Sequence, residues 1–120
     1  MKKLCVLGIT GSIGLNVCSV VELNRNDFEI VGACFNSKYE IFDEIYKKHP
    51  SIKFVAVNNQ NAYLYLKNKY PELIIFYGEN YLINLIDSYS YNMVVNALVG
   101  FNGLVPSVHT LNKDIDLALA

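Results

Sequence analysis

The segment Val6-Leu7-Gly8-Ile9-Thr10-Gly11-Ser12-Ile13-Gly14 constrains this chain more than any other. An apolar run ends in three glycines spaced G-x-x-G-x-x-G, and an amphipathic stretch follows at once. That order reads as a strand, a tight turn and a helix N-terminus. The first backbone N–H groups of a helix have no internal partner and carry partial positive charge, so such a turn suits a pyrophosphate. Gly8 is expected to permit the turn, Gly11 to let backbone approach a phosphate, and Gly14 to seat the helix closely on the strand. Thr10 and Ser12 add hydroxyl donors, and Ser12 is a candidate N-cap. The same spacing also occurs in ordinary strand–helix turns, so its context has to decide. A P-loop is excluded, because Leu15 and Asn16, not Lys-Ser or Lys-Thr, follow Gly14.

The context is an alternation. Apolar runs at Leu4 to Leu7, Phe28 to Phe35, Lys53 to Val57, Leu73 to Tyr77, Met93 to Leu98 and Ile115 to Leu119 read as strands. Between them lie helical patterns. Ile13, Val17, Val20, Val21 and Leu23 mark the apolar stripe of the first. The second runs from Lys38 to Lys48 on Ile41, Phe42 and Ile45, and Pro50 lies beyond its end. The third carries Leu64, Leu66 and Tyr70 behind a cap at Asn59 or Asn61. The fourth, Tyr81 to Asp87, turns Leu82, Leu85 and Ile86 inward. The fifth, Asn102 to Leu111, has Pro106 in its first turn, where proline is tolerated. Short apolar strands alternating with helices predict an α/β, doubly wound parallel sheet of the Rossmann dinucleotide-binding type. Its ligand is then expected at the carboxyl ends of the strands.

The 120 residues suit a single domain, and a 52% hydrophobic content can fill its core. A net charge of −1, without a basic stripe, leaves no electrostatic footprint for nucleic acid. No segment is long and apolar enough for a membrane span. Cys5, Cys18 and Cys34 lack metal-ligand spacing and fall in predicted core elements, so they read as buried free thiols of a reducing, cytoplasmic setting. His49 is expected at a helix C-terminus, where a partly positive ring is favoured, and His109 on a solvated or interface helix face. Asp43-Glu44 reads as surface charge, and the tyrosines as core edge and surface filler.

The end of the second strand distinguishes between dinucleotides. Binders of unphosphorylated NAD usually carry an acidic residue there for the ribose 2′-hydroxyl. Here it reads Ala33-Cys34-Phe35-Asn36-Ser37-Lys38, with no carboxylate before Glu40. Asn36, Ser37 and Lys38 would favour a 2′-phosphate, which predicts NADP(H).

These segments together resemble the 1-deoxy-D-xylulose 5-phosphate reductoisomerase family, whose first turn usually reads G-S-T-G-S-I-G. Phe28-Glu29-Ile30-Val31-Gly32-Ala33 resembles its second strand, and Pro50 to Val57 its P-x-x-V-A-V stretch. Val94-Val95-Asn96-Ala97-Leu98-Val99-Gly100-Phe101-Asn102-Gly103-Leu104-Val105-Pro106-Ser107 resembles V-V-x-A-I-V-G-x-x-G-L-x-P-T. Leu117-Ala118-Leu119-Ala120 resembles the run into A-N-K-E. The likeness covers essentially the whole chain. It implies an enzyme of non-mevalonate isoprenoid synthesis that rearranges and reduces 1-deoxy-D-xylulose 5-phosphate to 2-C-methyl-D-erythritol 4-phosphate. That family uses NADPH and a divalent metal (Mg, Mn or Co) and works as a homodimer. Gly8, Thr10, Gly11, Ser12, Ile13 and Gly14 would then hold the cofactor's pyrophosphate region, and Asn36, Ser37 and Lys38 its 2′-phosphate. Ile9 stands where the family commonly has Ser. Ser37 stands where a basic residue is expected, with Lys38 one place later.

The resemblance implies that residues 1–120 form the NADPH-binding domain of a longer enzyme, with Asn-Lys-Glu expected next and the metal and catalytic residues beyond. Two alternatives stay open: another two-domain NADP-dependent dehydrogenase, and a non-catalytic nucleotide-sensing module complete at this length.

Overall fold

A computed structural model describes residues 1–99 and 103–120. The elements alternate throughout: β1 (Lys2–Leu7), α1 (Ser12–Leu23), β2 (Phe28–Cys34), α2 (Tyr39–Lys48), β3 (Phe54–Val57) and α3 (Gln60–Lys69). They continue as β4 (Ile74–Tyr77), α4 (Tyr81–Asp87), β5 (Met93–Asn96), α5 (Leu104–Asn112) and β6 (Asp116–Leu119). The six strands form one sheet in the order β4-β3-β2-β1-β5-β6. All five pairings are parallel. The chain winds outward from β1 to β4, then returns to place β5 on the other side of β1. The β1–α1 and β5–α5 connections therefore diverge between those two strands, which makes the switch point where ligands of such sheets sit. The doubly wound expectation holds.

Period-two alternation feeds a core on each face of the sheet. Leu4 and Val6 meet Cys18 and Val21 of α1, Phe42 and Ile45 of α2, and Ala62 and Leu66 of α3. Cys5 and Leu7 meet Leu82 and Leu85 of α4 on the opposite face, with Val31 and Val94. Strand β2 interrupts the alternation. Its register against β1 steps from Leu4↔Ile30 to Cys5↔Gly32, so one extra residue bulges out. The bulge puts Ile30 and Ala33 on one face and Val31 and Cys34 on the other. Gly32 also makes room for the buried Tyr91 ring, since a Cβ there would overlap the phenol oxygen and come within 2.8 Å of Cζ. Burial pushes the Tyr91 hydroxyl pKa up, and it sits 3.0 Å from Ser88 Oγ.

Two local expectations, the buried face of α1 and the inward Leu64 of α3, are corrected. Helix α1 buries Gly14, Cys18 and Val21, while Ile13, Val20 and Leu23 are exposed. The buried arc is fixed by the glycine, which packs backbone to backbone. In α3, Leu66 and Ala62 are buried and Leu64 is exposed. Asn59 is the residue that caps α3, accepting the Ala62 N–H at 2.9 Å. Helix α5 is described from Leu104, and the expected start at Asn102 lies outside the described residues, as do Gly100 and Phe101.

Candidate functional site at the strand ends

Strand β1 runs straight into the glycine turn. Gly8 has φ +77°, and a Cβ there would stand 3.0 Å from the Ala97 carbonyl oxygen. Both backbone geometry and contact therefore require glycine. Its N–H donates to the Cys34 carbonyl at 3.1 Å and also meets Cys34 Sγ at 3.3 Å. The Ile9 N–H donates to the same carbonyl at 2.9 Å. Gly11 N–H donates to Gly8 C=O at 3.2 Å and closes the turn.

Leu15 N–H to Gly11 C=O, at 2.9 Å, is the first bond of α1 into its cap. Ser12, Ile13 and Gly14 thus present N–H groups without a backbone partner among the described residues. No carboxylate lies in the first turn of α1 to offset their positive potential. Gly14 is buried, and a Cβ on it would overlap the Gly8 carbonyl and come within 2.6 Å of Ile9 Cα. Gly11 differs: a Cβ there would meet only Gly8 O, at an ordinary 3.5 Å. Nothing within the described chain requires glycine at this exposed position. Ser12 is not the N-cap. Gly11 is, with no side-chain cap bond, and Ser12 is the first helical residue. Thr10 is half-buried, and Ser12 and Ile13 are exposed.

Strand β2 brings a second loop alongside. Asn36, Ser37 and Lys38 are all exposed just past its carboxyl end, beside the glycine turn that Cys34 fastens. Ser37 C=O accepts the Tyr39 N–H at 2.9 Å and Lys38 C=O accepts the Phe42 N–H at 3.2 Å, so α2 begins without slack. Among the described residues no carboxylate pairs with the Lys38 ammonium. The structure therefore brings the glycine turn, Gly8 to Gly14, and the loop Asn36 to Lys38 to the ends of two adjacent strands.

Helix α3 steadies this second loop. The Tyr39 ring stacks on Tyr65 at 4.0 Å between centroids. Asp43, expected as surface charge, is buried, and its carboxylate accepts hydrogen bonds from the Tyr65 and Tyr70 hydroxyls and, at 3.2 Å, from the Lys69 ammonium. Burial alone would raise the Asp43 pKa, but these three donors hold it below the usual value. The tyrosines of α3 and its C-cap are thus structural donors as well as packing.

Asn96 ends β5 opposite Leu7 and is 3% exposed. Its Oδ1 accepts the Leu98 N–H at 3.1 Å. Its Nδ2 donates to Gly103 C=O at 2.8 Å and to Ser107 Oγ at 2.7 Å. Its one trace in the sequence is an amide closing the apolar run Met93-Val94-Val95.

The remaining candidates lie elsewhere. His49 follows α2, as expected, but it is 1% exposed, and its Nε2 lies 3.5 Å from Glu22 Oε2 without a well-formed hydrogen bond. Burial, helped by the nearby Arg25 charge, lowers its pKa against the opposing pull of Glu22, so the surroundings disfavour the expected partial positive charge. His109 is half-buried, with Nε2 2.8 Å from Asp87 Oδ1, which also takes Lys113 at 2.6 Å. Cys5, Cys18 and Cys34 are buried free thiols, and burial pushes Cys34 up to about 12. Among the described residues no three His, Cys, Asp or Glu side chains gather as a metal site, and no helix is long and apolar enough to cross a membrane.

The fold has counterparts among known proteins. The reductoisomerase of Clostridium perfringens is 35% identical over 124 aligned residues, which take in 100% of this chain and 32% of the relative. The chain thus spans about a third of the length of the curated relatives it matches. A solved DOX-P reductoisomerase in complex with magnesium superposes with a TM-score of 0.90 at 22% identity, over 100% of this chain and 30% of that one. The Zymomonas mobilis reductoisomerase in complex with NADPH superposes with a TM-score of 0.86 at 21% identity, over 99% and 31% respectively. At those identities the superpositions establish the shared fold. The model for 1-deoxy-D-xylulose 5-phosphate reductoisomerase matches residues 4–120. With nearly every residue inside that match, the chain belongs to the 1-deoxy-D-xylulose 5-phosphate reductoisomerase family.

Proposed function

We propose that residues 1–120 form the NADPH-binding domain of an enzyme that rearranges and reduces 1-deoxy-D-xylulose 5-phosphate to 2-C-methyl-D-erythritol 4-phosphate. One observation carries the reading. The first turn of α1 offers N–H groups without a backbone partner behind Gly11, whose missing Cβ answers to no close contact among the described residues. Close backbone approach by a phosphate gives that glycine its purpose. The Ser12 and Ile13 N–H groups, with the Thr10 and Ser12 hydroxyls, would hold the pyrophosphate. Gly8 and Gly14 shape the turn around it. Asn36, Ser37 and Lys38 would take the 2′-phosphate, on a loop without a competing carboxylate. When bound, the cofactor supplies the hydride of the reduction. The relatives solved with NADPH and with magnesium support this reading. On the family's pattern, the ligands of its divalent metal would lie beyond these residues. A cytoplasmic homodimer acting on the sugar phosphate completes the proposal.

Titration with NADPH and, in parallel, NADH tests it by nicotinamide fluorescence, which the absence of tryptophan leaves uncluttered. NADPH is expected to bind more tightly. Lys38→Ala should weaken NADPH about tenfold, the loss of one charge-assisted contact, and leave NADH unchanged. Equal affinities, or an unaffected Lys38→Ala, would remove the 2′-phosphate assignment.

A further inference from the structure

The proposed dinucleotide reading occupies only one side of the switch point. The glycine turn and the Asn36–Lys38 loop take the pyrophosphate and the adenosine half. A dinucleotide lies across the crevice where strand order reverses, so its other half passes over the end of β5. Ala97 forms the near wall there: its N–H donates to Leu7 C=O at 2.9 Å, and its own carbonyl abuts Gly8. Beyond it the chain must leave the sheet and turn into α5.

The Asn96 amide governs that departure. Its oxygen takes the Leu98 N–H, two residues ahead. Its nitrogen spends both protons, one on the Gly103 carbonyl and one on Ser107 Oγ in the first turns of α5. One buried side chain thus ties the Leu98 backbone to Gly103 and to Ser107 of α5. The fit is tight, because a Cβ on Gly103 would stand 3.2 Å from Asn96 Nδ2. The Asn96 carbonyl in turn accepts the Ala120 N–H at 3.1 Å, just past β6.

We infer that Asn96 is a positioning residue for the nicotinamide half of the cofactor, acting through the Leu98 and Gly103 backbone that it holds and not by contact. The inference rests on the dinucleotide reading above. An apolar side chain would remove the bonds to Leu98 N–H and Gly103 C=O and release the one from the other. Aspartate would keep an acceptor for Leu98 but set a carboxylate against the Gly103 carbonyl.

The experiment compares two ligands on the protein at its natural length. One is NADPH; the other is 2′-phospho-ADP-ribose, which keeps the adenosine, 2′-phosphate and pyrophosphate and lacks the nicotinamide. Asn96→Ala and Asn96→Asp are expected to raise the NADPH Kd about fivefold or more, while the Kd of 2′-phospho-ADP-ribose stays within about twofold. Ser107→Ala, which removes one partner and leaves the amide in place, should shift the NADPH Kd in the same direction by less. A fold-wide role would weaken both ligands alike, and that result, or no change with either, overturns the inference. If the unsubstituted protein binds neither ligand, the dinucleotide reading itself falls and this role falls with it. Binding of both ligands by the unsubstituted protein, without the split in the variants, leaves the reading standing and removes Asn96 from it.

Discussion

Gly11 and Gly14 are one helical turn apart and answer to different demands. A methyl group on Gly14 would overlap the backbone of Gly8 and Ile9, which cannot give way without moving β1. Gly14→Ala should therefore cost about 3 kcal/mol of stability, as overpacking against backbone does. A methyl group on Gly11 meets only an ordinary contact, at φ −79° and ψ 173°, which any residue adopts. Gly11→Ala should stay within about 0.5 kcal/mol of the parent while losing dinucleotide affinity. Chemical denaturation beside a nicotinamide titration reads both variants; a Gly11→Ala that binds normally would mean that no phosphate approaches there. Much of this turn was legible in the sequence, because glycine spacing records backbone demands directly. The Ser12 cap was not. Serine suits a cap, but whether it stands at the cap or one residue inside depends on backbone angles that composition does not carry. The Cys34 sulfur beside Gly8 N–H was also hidden, since it depends on the β2 bulge.

Asp43 shows what the scale of whole elements adds. Within α2 it reads as half of a charged surface pair with Glu44, because helical periodicity sees only neighbours on the same helix. Its partners, Tyr65, Lys69 and Tyr70, come from α3 and its cap. The strands and helices themselves were legible to within a residue or two, since each apolar run sits between clear breaks. The faces were less so: hydropathy counts glycine as neutral, so the arc of α1 centred on Gly14 was displaced towards Ile13 and Val20. Replacing Asp43 with alanine would leave two phenols and an ammonium without their acceptor and loosen α2 from α3. It should cost about 3 kcal/mol, while Glu44→Ala should remain within about 0.5 kcal/mol. Because the Asp43 pKa is held below its ordinary value of 3.8, its contribution is complete above that pH and fades as pH falls below it. Denaturation midpoints of both variants at neutral pH check the contrast, and equal losses would return Asp43 to the surface.

At the scale of the molecule, titration and exposed surface both enter. His49 is buried with its pKa lowered, among Glu22, Arg25 and Lys48. The unfolded chain therefore takes up this proton first, from about pH 6.5 downward, and stability falls as pH drops towards the folded pKa. His49→Leu should flatten that slope at little cost above pH 7, since the Nε2 it removes makes no hydrogen bond and only a 3.5 Å approach to Glu22 Oε2. An unchanged slope in thermal melts between pH 7 and 5 would place the linkage elsewhere. The parallel topology was legible because strands covered on both faces are apolar throughout, but which outer surfaces stay open was not, since that depends on where the helices land. Leu104, Val105, Val108 and Leu111 follow helical spacing along α5 and are 56%, 64%, 48% and 59% exposed. A contiguous apolar stripe of this kind on a small protein favours association. The 120-residue chain prepared alone should therefore self-associate as concentration rises. Val108→Lys with Leu111→Lys should reverse this without unfolding, because cations near a helix C-terminus are favoured. Light scattering across a concentration series decides it: a parent chain that stays monomeric throughout, or a double variant that associates equally, would show that the α5 stripe does not drive contact.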